Sequence, residues 1–165
     1  MILAAIFVYA IAMTLANLSV ATFGPSVTPI NAFILIGLDL TLRDWLHIRI
    51  KQWKMLALIA FTGLITYILN PAAGMIAIAS ATAFTAAALV DYAVFSKIAG
   101  SWIKRSNASN VAGAAVDSLV FPTIAFGVLM PTIVLAQFAA KVFGGALWSL
   151  LINKSNFAPK QLGKL

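Results

Sequence analysis

Residues 105–126 read Arg105-Ser-Asn-Ala-Ser-Asn110-Val-Ala-Gly-Ala-Ala-Val-Asp117-Ser-Leu-Val-Phe121-Pro-Thr-Ile-Ala-Phe126. The stretch opens as a basic, polar loop and turns at Asn110 into an apolar helix. Seven residues past Asn110, inside that helix, sits Asp117. A carboxylate at such a place costs roughly 2.5–3.5 kcal/mol to insert into a bilayer on translocon scales. Some partner must offset that cost, and finding it decides what kind of bundle this helix joins.

The rest of the chain makes the bundle a membrane one. Of the 165 residues 62% are hydrophobic and 9% charged, where a soluble domain carries about 25% charged residues. The mean hydropathy is +1.02. Such a surface faces lipid, so the expectation is an all-α integral membrane protein forming one domain over residues 1–165. Cysteine is absent, which excludes disulfides, thiolate metal sites and a cysteine nucleophile. The single histidine, His47, is read in a basic loop, so no ligand cluster for zinc or haem exists and no cofactor is expected. A net charge of +7 would suit nucleic acid. The positive charges fall between apolar segments, however, so membrane topology accounts for them and no nucleic-acid partner is expected. The chain is apolar from Ile2 with no Lys or Arg before it. Residues 1–23 therefore read as a retained span rather than a cleaved signal.

Working outward gives six apolar segments, at about 2–22, 27–42, 55–69, 74–96, 110–130 and 132–152. The second and third are short for a 30 Å core at 1.5 Å per residue. Arg43, Arg49, Lys51 and Lys54 follow the second segment, Lys97, Lys104 and Arg105 the fourth, and Lys154, Lys160 and Lys164 the sixth. The intervening connections carry no charge. Ten of eleven basic residues thus lie on alternate loops, which under the positive-inside rule predicts six transmembrane helices with both termini cytoplasmic. Lys141, about nine residues into the sixth segment, is the exception.

The acids are equally selective. There is no glutamate, and the four aspartates are Asp39, Asp44, Asp91 and Asp117. Asp44 reads as a surface charge among loop bases. The other three sit within spans, each roughly 6–10 Å inside the cytoplasmic boundary by helix rise. Three carboxylates at one depth would face inward together, since facing lipid is too costly. A purely structural account pairs Asp39 with Arg43 at i,i+4, Asp91 with Lys97 or Lys104, and Asp117 with Lys141. Asn17 and Asn31 are candidates for interhelical bonding or for substrate contact. The small-residue run 77–88 marks close packing, with Ser80, Thr82 and Thr85 as pore candidates. The four Trp residues, at 45, 53, 102 and 148, read as an interfacial belt. Val90-Asp-Tyr-Ala-Val-Phe95 matches Val116-Asp-Ser-Leu-Val-Phe121 at four of six positions, a short echo of the kind left by inverted repeats.

Together these residues resemble the queuosine precursor transporter family, also called the VUT or vitamin uptake transporter family. Ala79-Ser-Ala-Thr-Ala-Phe84 with Leu89-Val-Asp-Tyr-Ala-Val-Phe95 is similar to its alanine-serine and aspartate segment. Arg105-Ser-Asn107-Ala-Ser109 with Asp117-Ser118, Phe121 and Ala125-Phe126 is similar to its arginine-asparagine-serine loop and Asp-Ser helix. Asn17, Asp39 and Lys141 also fall where the family places such residues. In span two the family usually has an acid four residues after the aspartate; this chain has Arg43 there and Asp44 one place later. The chain is also short, as expected of compact phage-type or actinobacterial members.

The resemblance implies uptake of a 7-deazaguanine base, preQ0 or preQ1, across the bacterial inner membrane by a multi-pass transporter. Independently, a carboxylate suits a guanine-like edge, which presents a ring N–H beside an amine. The candidate substrate-binding residues are Asp117, Asp91, Asp39, Asn17, Arg105, Asn107, Lys141, Ser80, Phe84 and Phe121. Phe95 and Phe126 are further candidates to stack on the ring. The expected partners are the small deazapurine and the lipid bilayer, with a homo-oligomer or an energising subunit left open. A second class of function is a substrate-binding membrane subunit of an ATPase-energised vitamin-type uptake complex, since the chain has no phosphate-binding loop of its own. An intramembrane enzyme is disfavoured, because no nucleophile constellation accompanies the aspartates. An assembly or lysis protein would have no use for three buried carboxylates.

Overall fold

The computed structural model describes residues 1–155, and among these it contains helices and no strand. Helix α1 (Ile2–Phe23) ends at Gly24, whose φ of +73° suits glycine. A 3₁₀ turn, Gly24–Val27, then reverses the chain. The returning limb is composite: α2 (Thr28–Asn31), a five-residue π turn Ala32–Ile36, and α3 (Gly37–His47). There follow α4 (Gln52–Leu69), α5 (Gly74–Lys97), α6 (Trp102–Phe126) and α7 (Pro131–Lys154). Among the described residues five helical stretches are long and apolar enough to cross a membrane: 2–47, 52–69, 71–97, 102–126 and 131–154. The first of them is folded back on itself. Asn31 on the returning limb donates to Ala16 O at 3.3 Å and to Ser19 Oγ at 2.6 Å.

The helices are apolar on the outside and polar within, as lipid requires. On α1 the exposed stripe is Leu3, Phe7, Ile11 and Leu15, at four-residue spacing, while Tyr9, Met13, Ala16 and Asn17 point inward. Helices satisfy their own backbone groups, which is what lets this chain sit in hydrocarbon at all. Small side chains bring the backbones together. Ala79, Ser80, Ala83 and Ala87 of α5 are fully buried, and Gly113 of α6 packs against Asp91 and the Ala87 carbonyl. The closest seam is between the π turn and α7. A Cβ on Gly144 would stand 2.1 Å from Phe33 O, and one on Gly37 would stand 2.7 Å from Gly144 C.

Several sequence-level expectations change here. The polar run 105–110 is not a loop: α6 begins at Trp102, and Arg105, Ser106, Ser109 and Asn110 form a buried face of it. Their spacing of one, three and one residues is a helical stripe that faces the bundle rather than water. The span expected at 110–130 accordingly runs from Trp102 to Phe126, closed by Gly127 in the left-handed region at φ +69°. The span expected at 27–42 continues to His47, because its charged residues find partners inside the bundle. The third starts earlier, at Gln52. His47 is the last residue of α3, stacked on Tyr92 with ring centroids 4.3 Å apart, and not a loop residue. Asp44 is no surface charge. It is fully buried and accepts a hydrogen bond from Ser109 at 3.1 Å. Of the supposed tryptophan belt, Trp45 and Trp102 are core residues, and Trp53 and Trp148 keep an outward position.

Candidate functional site

A column of buried polar side chains runs through the bundle in tiers. Nearest the 48–51 and 98–101 connections, Asp44 of α3 and Asp91 of α5 meet Ser106 and Ser109 of α6. Next along, Arg43 donates to Asp39 at 2.5 Å, with the Tyr9 hydroxyl within hydrogen-bonding reach of the same carboxyl. The Arg43 guanidinium lies over Phe84, 5.8 Å from the ring centre. Then comes Lys141 of α7, whose ammonium donates to Asp117 Oδ2 at 2.7 Å, Gln137 Oε1 at 2.8 Å and Ser118 Oγ at 3.0 Å. Farthest from the basic loops, Asn17 donates to Thr66 Oγ1 at 3.3 Å and accepts from Ser80. From Asp91 to Ser80 along α5 is eleven residues, a rise of about 16 Å.

The three span aspartates are therefore not at one depth. Asp117 lies fifteen residues into α6, roughly 22 Å along the helix, whereas Asp91 is six residues, roughly 9 Å, from the end of α5. The estimate of equal depth failed because it started α6 at Asn110. Of the expected ion pairs, Asp39–Arg43 and Asp117–Lys141 are present. Asp91 pairs with neither Lys97 nor Lys104, whose side chains are exposed.

A cavity opens in the last two tiers. Its wall includes Asn17, Ser80, Phe84, Asp117, Phe121 and Lys141, six of the ten candidates drawn from the sequence, from four helices. The returning limb closes it with Thr28, Asn31, Ala32 and Ile36, so the π turn forms part of its wall. Such a turn within a helix often marks a functional site. Two polar atoms in the cavity wall have no partner: Asp117 Oδ1, an acceptor, and Gln137 Nε2, a donor. The Lys141 ammonium bridges their parent groups, which fixes the amide with its oxygen toward the lysine and its nitrogen away. Phe121 meets Phe126 edge to face, 6.1 Å between centroids. The free volume is about 20 Å³, room for a water molecule and far below what a heterocycle fills.

The other four candidates lie elsewhere. Asp91 and Asp39 belong to the tiers nearer the basic loops. Arg105 donates to Phe95 O at 2.9 Å and lies over the Phe95 ring at 4.4 Å, which places both away from the cavity. Asn107 accepts from Ser149 at 3.0 Å, tying α6 to α7. Gln137 and Tyr9 were missed by sequence reasoning. Gln137 had a visible signal, as a polar residue one helical turn before Lys141 inside an apolar span. Tyr9 had none, because a lone tyrosine in a greasy helix reads as packing.

A family model described as "Putative vitamin uptake transporter" matches residues 1–153. No curated protein and no solved structure matches the chain.

Proposed function

The chain belongs to the vitamin uptake transporter family whose model it matches, and from that premise we propose that it imports a 7-deazaguanine queuosine precursor, preQ0 or preQ1. Membership makes it a multi-pass membrane protein of the uptake-transporter type. In our reading the folded-back first stretch counts as two crossings. The chain then crosses six times, with the 48–51 and 98–101 connections, which hold or adjoin Arg49, Lys51, Lys54, Lys97 and Lys104, on the cytoplasmic side of a bacterial inner membrane.

One observation carries the choice of substrate: an unpartnered acceptor, Asp117 Oδ1, and an unpartnered donor, Gln137 Nε2, on side chains bridged by Lys141 in the wall of one cavity that Phe84 and Phe121 also line. A guanine-type ring offers an N–H next to a carbonyl oxygen, the complementary pair, on a flat face that aromatic rings can cover. Asp117 Oδ2 is held by Lys141, so the carboxylate reads one ligand N–H and the amide reads the carbonyl. Charge-assisted bonds of this kind are about twice as strong as neutral ones. Asn17, Ser80 and Asn31 supply further polar atoms at the far end of the cavity.

The test is queuosine in tRNA, assayed in a bacterium that neither makes nor imports deazaguanines and expresses this chain with preQ0 or preQ1 supplied. Wild type should restore queuosine, and Asp117→Asn should abolish it while still inserting in the membrane. Restoration by Asp117→Asn, or none by wild type despite membrane insertion, refutes the reading. Uptake that appears in cells but not with the purified chain alone in vesicles would move it to the ATPase-dependent class.

A further inference from the structure

Two of the four aspartates are left over once the cavity and the two ion pairs are accounted for. Asp44 and Asp91 are fully buried, at 0% and 1% exposure. Among the described residues the only ion pairs are Arg43–Asp39 and Lys141–Asp117. Two of the acids therefore each have a cation, and these two have none. Instead they have each other. Neither oxygen of Asp91 has a hydrogen bond in place, and what it faces within reach is the Asp44 carboxyl and the Ser109 hydroxyl that donates to Asp44.

Two carboxylates at that separation, away from water, do not both stay ionised. With one proton between them the contact becomes favourable, since a carboxylic O–H donates to the neighbouring carboxylate. The surrounding hydroxyls fit the resulting single negative charge. Ser109 Oγ points at both oxygens of Asp44, at 3.1 and 3.2 Å. Ser106 is fully buried, has no other side-chain partner and stands within reach of Asp44.

We propose that Asp44 and Asp91 hold one exchangeable proton between them, and that its passage to the basic-loop side of the membrane drives uptake. The coupling rests on the proposed transport function; the proton site itself does not. The proton arrives from water on the far side, sits on one carboxyl, and leaves to water at the 48–51 and 98–101 end. The pair lies near that end, with Asp44 three residues before the end of α3 and Asp91 six before the end of α5.

The charged and titratable groups around the pair are few. Helix α3 contributes Arg43, Asp39 and, at its end, His47; α1 contributes Tyr9; α6 contributes Arg105; α5 ends at Lys97; and α4 buries only Met55, Ile59, Thr62 and Thr66. Arg43 is the link to the cavity. It is bound to Asp39, its charge acts on Asp91, and Asp39 in turn lies within the field of Asp117. A proton entering the pair weakens its pull on Arg43 and so alters what Asp39 and the Asp117–Lys141 pair experience.

Two measurements on the full chain test this and fail separately. The first is infrared spectroscopy of the purified protein without substrate, following the carboxylic-acid C=O stretch against pH. Wild type should show a band that one proton accounts for. It should shift in Asp44→Asn and in Asp91→Asn, vanish in the double variant and survive in Asp117→Asn. Absence of the band in wild type, or its persistence in the double variant, overturns the proposal.

The second is uptake of labelled preQ0 or preQ1 into proteoliposomes under an imposed pH gradient. For one proton per base, one pH unit sustains about tenfold accumulation. Asp44→Asn should lose this response and keep gradient-free exchange of base for base. Wild-type uptake indifferent to the pH gradient, or driven by a sodium gradient instead, overturns the coupling. If neither base enters under any condition, the substrate assignment falls, and the infrared result still decides the proton site.

Discussion

Replacing Lys141 with methionine keeps most of the side-chain volume and removes the ammonium. In the folded protein that group is fully used: three protons, three acceptors, on Asp117, Gln137 and Ser118. Asp117 Oδ1 has no other donor, so the substitution leaves a buried carboxylate with nothing to hold either oxygen. Breaking a buried pair from one side costs about 3–5 kcal/mol, and each 1.4 kcal/mol is a factor of ten. The folded-to-unfolded ratio should drop by roughly two to three and a half powers of ten. Asp117→Asn should also destabilise, because it leaves the buried Lys141 ammonium without a counter-charge although the amide oxygen still accepts from it. The double variant Asp117→Asn/Lys141→Met should recover most of the loss, since no lone charge remains. Unfolding titrations of the four proteins in detergent close the cycle. A double variant no more stable than the sum of the two single effects would refute the pair as the partner that offsets the buried carboxylate.

Gly144→Ala should abolish the folded protein, because its Cβ would meet Phe33 backbone atoms at 2.1 and 2.9 Å, which cannot yield unless α7 and the π turn separate. Gly63→Ala, whose Cβ has nothing nearer than 3.6 Å, should leave monodisperse yield in size-exclusion chromatography unchanged. A tolerated Gly144→Ala would mean the seam is looser than described. Asn17→Ala removes bonds to Thr66 and Ser80. At about 0.6 kcal/mol on average and up to roughly 1.7 for each membrane hydrogen bond, stability in the same titrations should fall by about 1–3 kcal/mol. No measurable loss would show that these bonds contribute nothing net.

Much of this arrangement was legible in the chain. The outward faces could be read because lipid permits only apolar residues there, and the i,i+4 pair Asp39–Arg43 because helix geometry imposes it. The Lys141–Asp117 pair was legible by exclusion, as the one basic residue and the one deep acid without a neighbour in sequence. What failed had a single cause. In a soluble protein a run such as Arg105–Asn110 is a loop, and in this bundle the same polarity marks the inward face. That inversion moved the start of α6 by two turns, hid Asp44 among presumed surface charges, and made three aspartates appear level. The π turn left no signal, since Ala-Phe-Ile-Leu-Ile is indistinguishable from ordinary helix. Nor did sequence spacing reveal that Asp44 and Asp91, 47 positions apart, face one another.

The small cavity makes a demand of its own. A free volume near 20 Å³ cannot admit a purine-sized ring, so a bound state requires one wall to move. The four walls from α1, α5, α6 and α7 are poor candidates. Asp117 and Ser118 are tied to α7 through Lys141, and Ser80 is tied to α1 through Asn17. The remaining wall is Thr28–Ile36. It follows the turn at Gly24, carries Pro29 in its first turn, and holds its last five residues in a π turn of the kind frequent at functional sites. It is tied to α1 by the half-buried Asn31 amide. Its π turn is held to α7 by the Gly144 seam and by Trp148 Nε1–H donating to Ile34 O at 2.9 Å, so the part that swings is Thr28–Asn31, ahead of the π turn. Because the chain has no cysteine, Asn31→Cys would carry the only thiol in the protein. A membrane-impermeant maleimide added on the side opposite the basic loops should label it as the limb swings out. Base sealed beneath the limb should slow labelling by at least about tenfold, the equivalent of 1.4 kcal/mol toward the closed form. Ser19→Ala, which removes one acceptor of the Asn31 amide in the native chain, should loosen the same hinge and speed uptake at low substrate. Labelling that is equally fast with and without base would place the moving wall elsewhere and would refute the limb as the gate.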